Sequence, residues 1–177
     1  MTAMDHPDDL LARVNLRASL HDARQAFDLS TEAVSRLAGF HYASAVRTLE
    51  RRTSWEFWLV QQWARGLGQV ARLHLDDLDV PAPDPQALVL EMTTAFGGFD
   101  EDQLHLRVVA HDLIRTREAL GVSRAELASR LGITERAVGC FEQDPLRSWL
   151  RTWQRYARGL GGVARPELES VSVEVAS

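Results

Sequence analysis

Apolar residues recur at helical spacing in two stretches of this chain, and the same order of starts and stops frames both. In the C-terminal stretch Leu113, Arg117 and Leu120 share a helical face, and Gly121 ends that helix. Ser123 followed three residues later by Glu126 forms a capping box for the next helix, whose inner face is Leu127, Ala128 and Leu131. Gly132 follows as the left-handed residue of a tight turn. Thr134 is placed to cap a third helix with Val138 and Phe141 on its buried side. A further helix over about 146–159 buries Leu150, Trp153 and Ala157. The N-terminal stretch follows the same plan through Leu20, Ala23, Phe27, Val34, Leu49, Phe57, Val60 and Trp63.

The two stretches are related to each other. A-R-G-L-G-Q-V-A-R at 64–72 recurs as A-R-G-L-G-G-V-A-R at 157–165, identical at eight of nine positions and 93 residues later. The same offset aligns Arg24 with Arg117, Ala26 with Ala119, Ser30 with Ser123 and Gly39 with Gly132. The first copy gains one residue near its turn, so Glu50 matches Glu142 at 92, and loses one before Phe57, which matches Leu150 at 93. Self-similarity of this kind implies a tandem duplication. The prolines of D-V-P-A-P-D-P between the copies favour an extended connector. Alternation at 88–92 (L-V-L-E-M) and 171–175 (V-S-V-E-V) predicts a strand after each copy, while Leu73, Leu75 and Leu78 mark a competing location for the first. The expected fold is mainly α: two tandem bundles of about five helices each, with short β-strands after each copy. Residues 12–75 and 104–165 are the two domains, 76–103 is an acidic, proline-containing connector with a short strand, and 166–177 is a C-terminal strand or tail.

Composition changes this picture in one respect. The net charge of −5 argues against a polyanion partner, but the average hides a partition. Residues 12–75 hold nine Arg against five acids, and 104–165 hold eleven against six, whereas 76–103 hold eight acids and no base. A local basic patch, rather than overall charge, is what phosphate attraction requires. There is no lysine, so every such base is arginine. At 45% hydrophobic and 25% charged the chain has the composition of an ordinary globular protein. No apolar run approaches the roughly 18 residues that span a bilayer. The acidic opening M-T-A-M-D-H-P-D-D is unlike a signal peptide, and a lone Cys140 fits a reducing compartment, so a cytoplasmic protein without membrane contact is expected.

S-R-A-E-L-A-S-R-L-G-I-T-E-R-A-V-G-C-F-E at 123–142 resembles the Cro/repressor (XRE) helix-turn-helix family, and the resemblance covers about 106–160. It implies that small Ala128 sits where two helices cross, that Val138 packs between them, and that Arg117 and Glu142 form a brace repeated by Arg24 and Glu50. It also implies that the third helix enters the major groove. Carried over by position, the second copy's DNA-contacting residues are Thr134, Glu135, Arg136, Gly139, Cys140 and Gln143, with Arg124 against phosphate. The fork of Arg136 suits guanine and Glu135 suits cytosine. The first copy departs from the family, with Ser35 in place of Ala128 and a turn, G-F-H-Y-A-S-A, one residue longer. Its corresponding set is Thr31, Ala43, Ser44, Arg47, Thr48 and Arg51, with Arg52 adding to a basic outer face. In antitoxin-like members a strand after the last helix pairs across a homodimer. Here the two strands are expected to pair with each other, as an intramolecular pseudo-dimer, or with a second chain.

Each of these residues also has a plain structural reading. Arg136 and Arg47 are candidates for ordinary solvated helix positions, and Cys140 is more simply a packing residue than a redox switch. Trp55, Phe57, Trp58, Trp63, Trp149 and Trp153 read as core, with one or two at a contact between copies. The six histidines lack metal-ligand spacing, and neither a Walker loop, a G-x-S-x-G elbow nor a dinucleotide fingerprint occurs. The expectation is therefore no enzyme, no metal and no cofactor. A DNA-binding transcriptional regulator, in the sense of a repressor acting on double-stranded DNA, leads. The rival is a protein-interaction module or antitoxin-like autoregulator whose first copy mediates partner binding or dimerisation.

Overall fold

The fold comes from a computed structural model in which residues 5–78 and 100–170 are described. The N-terminal half runs α1 (Pro7–Ala26), α2 (Thr31–Leu37), α3 (Ala45–Glu50), α4 (Phe57–Gly66) and β1 (Gln69–Asp76). The C-terminal half repeats that order as α5 (Glu101–Ala119), α6 (Arg124–Leu131), α7 (Glu135–Gln143), α8 (Leu150–Gly159) and β2 (Val163–Ser170). Among the described residues the architecture is mainly helical with one small sheet, as the sequence implies. Each half has four α-helices among the described residues, and what reads as an early start of the helix near 146 is a separate 3-10 turn, Pro145–Arg147.

Helices α1 and α5 extend into the acidic flanks of the basic bodies. His6 caps α1 ahead of Pro7, and Asp100 caps α5 by accepting from the Gln103 N–H at 2.8 Å. Asp8, Asp9, Glu101 and Asp102 occupy the first turns, where the helix dipole favours negative charge. Asp100, Glu101 and Asp102, which read as connector, thus start a helix.

β1 begins directly after the repeated Ala-Arg-Gly-Leu-Gly segment, and β2 one residue later, past Gly162. The location marked by Leu73 and Leu75 is the one that β1 occupies, while the strand expected at 88–92 and the one at 171–175 lie outside the described residues. The two described strands pair with each other, antiparallel, from Gln69 opposite Ser170 to Asp76 opposite Val163. At the middle of this register Leu73 faces Pro166, two positions 93 apart.

The same relation holds elsewhere between the halves. Glu56 bridges to Trp149, again 93 apart, flanked by Leu150 N–H to Trp55 O (2.7 Å) and Phe57 N–H to Ser148 O (3.4 Å). The Gln61 amide donates to Asp102 O (3.3 Å), and the Gln154 amide to Asp9 O (3.2 Å). Arg65 pairs with Asp102 at 2.9 Å, and Arg158 with Asp9 at 3.1 Å. Every one of these contacts has a counterpart with the halves exchanged, the property of an isologous, two-fold interface. One continuous core crosses it, built on Trp55, Phe57, Trp63, Leu150, Trp153 and Tyr156, whereas Trp58 and Trp149 at the bridge stay partly exposed.

The exchange is imperfect in places, as at Arg13 and at Leu73. Arg13, 1% exposed, donates to Gln154 Oε1 and to Thr53 O (3.0 Å), and pairs with Asp5. Its counterpart is Leu106, and Gln61 Oε1 accordingly finds no partner among the described residues. Leu73 N–H donates to His105 Nε2 at 2.9 Å, whereas its counterpart Pro166 has no N–H and Ala12 stands in place of the histidine.

Candidate nucleic-acid interface

In the C-terminal half the helix starts predicted by sequence are made. Ser123 Oγ accepts from the Glu126 N–H (3.1 Å) and Thr134 Oγ1 from the Ala137 N–H (3.2 Å), with Gly132 at φ 63° between the two helices. The capping box is only half closed, because the Glu126 carboxylate pairs with Arg130 one turn on instead of reaching back. Ala128, Val138 and Phe141 are buried, and Phe141 meets the Trp153 ring edge-on at 4.9 Å. Burying that side of α7 leaves Thr134, Glu135, Arg136, Cys140 and Gln143 exposed along the other. Gly139 lies among them, and a Cβ there would meet nothing within 4 Å. The sequence-derived set is therefore one contiguous surface, shared with exposed Arg124. Among the described residues Arg136 makes no ion pair.

The brace beneath this surface has more members than the sequence revealed. Arg117 Nε lies 2.8 Å from Glu142 Oε1, and the guanidinium also holds Val122 O at 3.0 Å. The Glu142 side chain is 2% exposed and takes two further donors, the Tyr156 hydroxyl and Arg124 Nε, each at 2.6 Å. Burial alone would raise its pKa, but the hydrogen bonds from Tyr156, Arg124 and Arg117 outweigh it and hold the carboxyl below the usual range. Tyr156 is pushed the other way, by burial and then by the adjacent carboxylate. Arg124 is consequently anchored at the start of α6 by Glu142 while about half its side chain faces solvent. Tyr156 has no counterpart hydroxyl in the first copy, where Trp63 stands, so the repeat gave no signal for it.

The N-terminal half builds a different head. Arg24 pairs with Glu50 at 2.8 Å and holds Leu29 O, as its counterpart does, but the second partner of Glu50 is His21 at 3.3 Å. Ser35, fully buried, donates to Thr31 O (2.7 Å) and accepts the Val46 N–H (3.1 Å), so its hydroxyl ties α2 to the first turn of α3. The longer turn leaves α3 only six residues, and Ser44 at its N-cap makes no side-chain cap. Ala43 and Ser44 precede the helix. Ala43, Ser44, Arg47, Thr48 and Arg51 are exposed, but Arg47 is engaged by Glu32 and Thr48 Oγ1 by Ser44 O. Thr31 Oγ1 likewise donates to Glu32 (3.2 Å).

Over 75 residues, 42% of this chain, the sequence is 37% identical to Antitoxin HigA1 of Mycobacterium tuberculosis, in strains CDC 1551 / Oshkosh and ATCC 25618 / H37Rv alike. The likeness is to antitoxins. The chain spans about half the length of these curated relatives. No family model matches the chain, and no solved structure matches it.

Sequence reasoning missed three surface residues beside the α7 face. Exposed Arg147, Trp149 and Arg151 follow α7, and a surface groove joins Arg136 and Cys140 to Arg147 and Trp149. Arg151 stacks over the Trp149 ring, 5.5 Å from its centroid. These positions lie outside the resembling segment's third helix, and only the packing of α8 brings them alongside it. Among the described residues no cluster of three or more His, Cys, Asp or Glu is placed to hold a metal, and no helix is long and apolar enough to cross a membrane.

Proposed function

We propose that this chain is a cytoplasmic, sequence-specific DNA-binding regulator of antitoxin type, related to the Cro/repressor helix-turn-helix proteins, and that α7 is its principal reading helix. The observation that carries this is the outer face of α7: a capped, braced helix presenting Arg136, Glu135, Gln143 and the bare backbone of Gly139 on one open surface. An uncommitted guanidinium suits the O6 and N7 of guanine, and Arg124 at the start of α6 suits a phosphate. The antitoxin similarity supports autoregulation as the biological setting, with repression of the chain's own operator the simplest form. Residues 12–75 and 104–165, lengthened by the first turns of α1 and α5 and by the ends of β1 and β2, are then duplicated reading units.

A protein partner is the second reading, and a specific observation favours it for the N-terminal head. Leu37 and Tyr42 are 65% and 76% exposed beside a short α3 whose arginine is already paired. Exposed apolar side chains of this size suit a protein contact that would remove them from water. In this view the C-terminal head reads DNA and the N-terminal head mediates assembly with a toxin-like protein.

Selection of bound duplexes from random DNA at physiological salt tests the main reading. Arg136→Ala should then weaken binding to the selected site by about 1–3 kcal/mol per lost base contact. Undiminished binding after loss of Arg136 and Arg47 together would overturn the reader assignment, and absence of any selected duplex would overturn the regulator reading itself.

A further inference from the structure

The reciprocal contacts define an axis. A rotation that exchanges the halves maps the Leu73–Pro166 pair onto itself and does the same to the Glu56–Trp149 pair, so the axis passes through both. The sheet lies at one end. At the other, Trp149 opens into the groove that also holds Arg136 and Cys140 of α7. A two-fold rotation leaves height along its axis unchanged, so the N-terminal head stands at the same level on the far side of Glu56. At the sheet's centre, among the described residues, the Leu73 N–H is taken by His105 of α5 and the facing position on β2 is a proline with no N–H to offer a second chain.

The two heads are unequal in ways that bear on phosphate and base contact alike. The C-terminal head has a nine-residue, side-chain-capped α7, an Arg136 without an ion pair among the described residues, and Arg147 and Arg151 beside Trp149 at the axis. The N-terminal head has a six-residue α3 with no such cap, Arg47 paired to Glu32, and Ser54 and Trp58 where those two arginines would be.

We propose that a single chain occupies one DNA site made of two inverted but unequal half-sites, with the Glu56–Trp149 end of the axis facing the duplex. The proposal rests on the DNA-binding reading above. The C-terminal head reads bases in one half-site. The N-terminal head holds the other chiefly through Arg51, Arg52 and backbone phosphates. Arg147 and Arg151 contact phosphate near the centre. An ordinary two-fold regulator needs two chains for this geometry and finds identical half-sites about 34 Å apart. Here the covalent link replaces the second chain, and divergence of one head relaxes the symmetry of the site.

The test combines random-sequence selection with native mass spectrometry of the full chain on the selected duplex. The expected result is one chain per duplex on an inverted repeat whose information is concentrated in one half. Arg136→Ala should lower affinity about 5- to 150-fold for the intact site and lose its effect once the information-rich half is scrambled. Arg147→Ala and Arg151→Ala, both at exposed positions, should weaken all sequences alike and each reduce the salt-dependence slope by about 1. Two chains per duplex, a direct repeat, or equally informative halves would overturn this proposal while leaving the DNA-binding reading intact. Failure to bind any duplex would overturn both.

Discussion

Leu73 and Pro166 face each other at the centre of the β1–β2 ribbon, and only one of them has an amide hydrogen to place. The Leu73 N–H points away from the partner strand and is received by His105 Nε2, while the proline needs no acceptor and Ala12 offers none. The helix residue packed beside each strand matches the strand's own capacity to donate, which is how a buried backbone group stays satisfied in an imperfectly repeated fold.

His105 therefore makes stability depend on pH. Its Nε2 must be unprotonated to accept, and burial, aided by Arg72 and His74, pushes its pKa down to about 4 from about 6.5. The unfolded chain binds this proton first, so the contribution is complete above pH 6.5 and is lost as pH falls toward 4. Melting temperatures measured between pH 4 and 7 should fall more steeply for the wild type than for His105→Gln, which keeps an acceptor without titrating. Equal slopes would show that the ring is not buried as an acceptor.

The two braces should differ in cost. Glu142→Ala removes the acceptor of three donors from a side chain 2% exposed, leaving Arg117 buried without its carboxylate. Breaking a buried pair from one side costs about 3–5 kcal/mol. Glu50, at 16% exposure and with a half-exposed histidine as its second partner, should cost less, about 1.5–3 kcal/mol on replacement by alanine. Urea unfolding of the two variants checks the order, which a larger loss at Glu50 would reverse.

Gly66 and Gly159 occupy matching ends of α4 and α8 but meet different neighbours. A Cβ at Gly66 would lie 2.8 Å from Ala38 Cβ and 3.0 Å from Ala38 N, against another helix's backbone. At Gly159 the nearest atoms are the ends of Leu127 and Leu131, at 2.5 and 2.9 Å, which can rotate away. Gly66→Ala should destabilise by about 1–3 kcal/mol, while Gly159→Ala should stay within about 1 kcal/mol because improved helix propensity offsets the adjustment. Thermal denaturation of both distinguishes them.

Arg13→Leu copies the opposite half, where Leu106 occupies the equivalent site. It strips Gln154 Oε1 and Thr53 O of their donor but avoids an unpaired charge, so the expected loss is about 1–3 kcal/mol. Arg13→Ala should cost more, since it adds a cavity to the same losses. Chemical denaturation of the pair checks the ranking.

Much of this protein was legible from local pattern. Helix starts at Ser123 and Thr134, the turn at Gly132 and the inward set of Ala128, Val138 and Phe141 depend on a few neighbouring residues, so spacing alone determined them. The 93-residue repeat likewise pointed to two related halves, whereas strand pairing was implied by the family resemblance, with a second chain as the alternative partner, and the structure pairs the two strands of one chain. The strand positions were harder, because alternation at 69–76 is weak and burial under α5, rather than side-chain polarity, decides which edge is covered. Tertiary structure alone decided that Tyr156 and Arg124 converge on Glu142, that Ser35 bonds α2 to α3, and that Arg147 and Trp149, with Arg151 over the Trp149 ring, stand beside the α7 face. Those contacts join residues distant in sequence whose chemistry carries no periodicity. The two-fold relation was of the same kind: the repeat declared two similar parts, and only the pairing of Leu73 with Pro166 and Glu56 with Trp149 determined how they face each other.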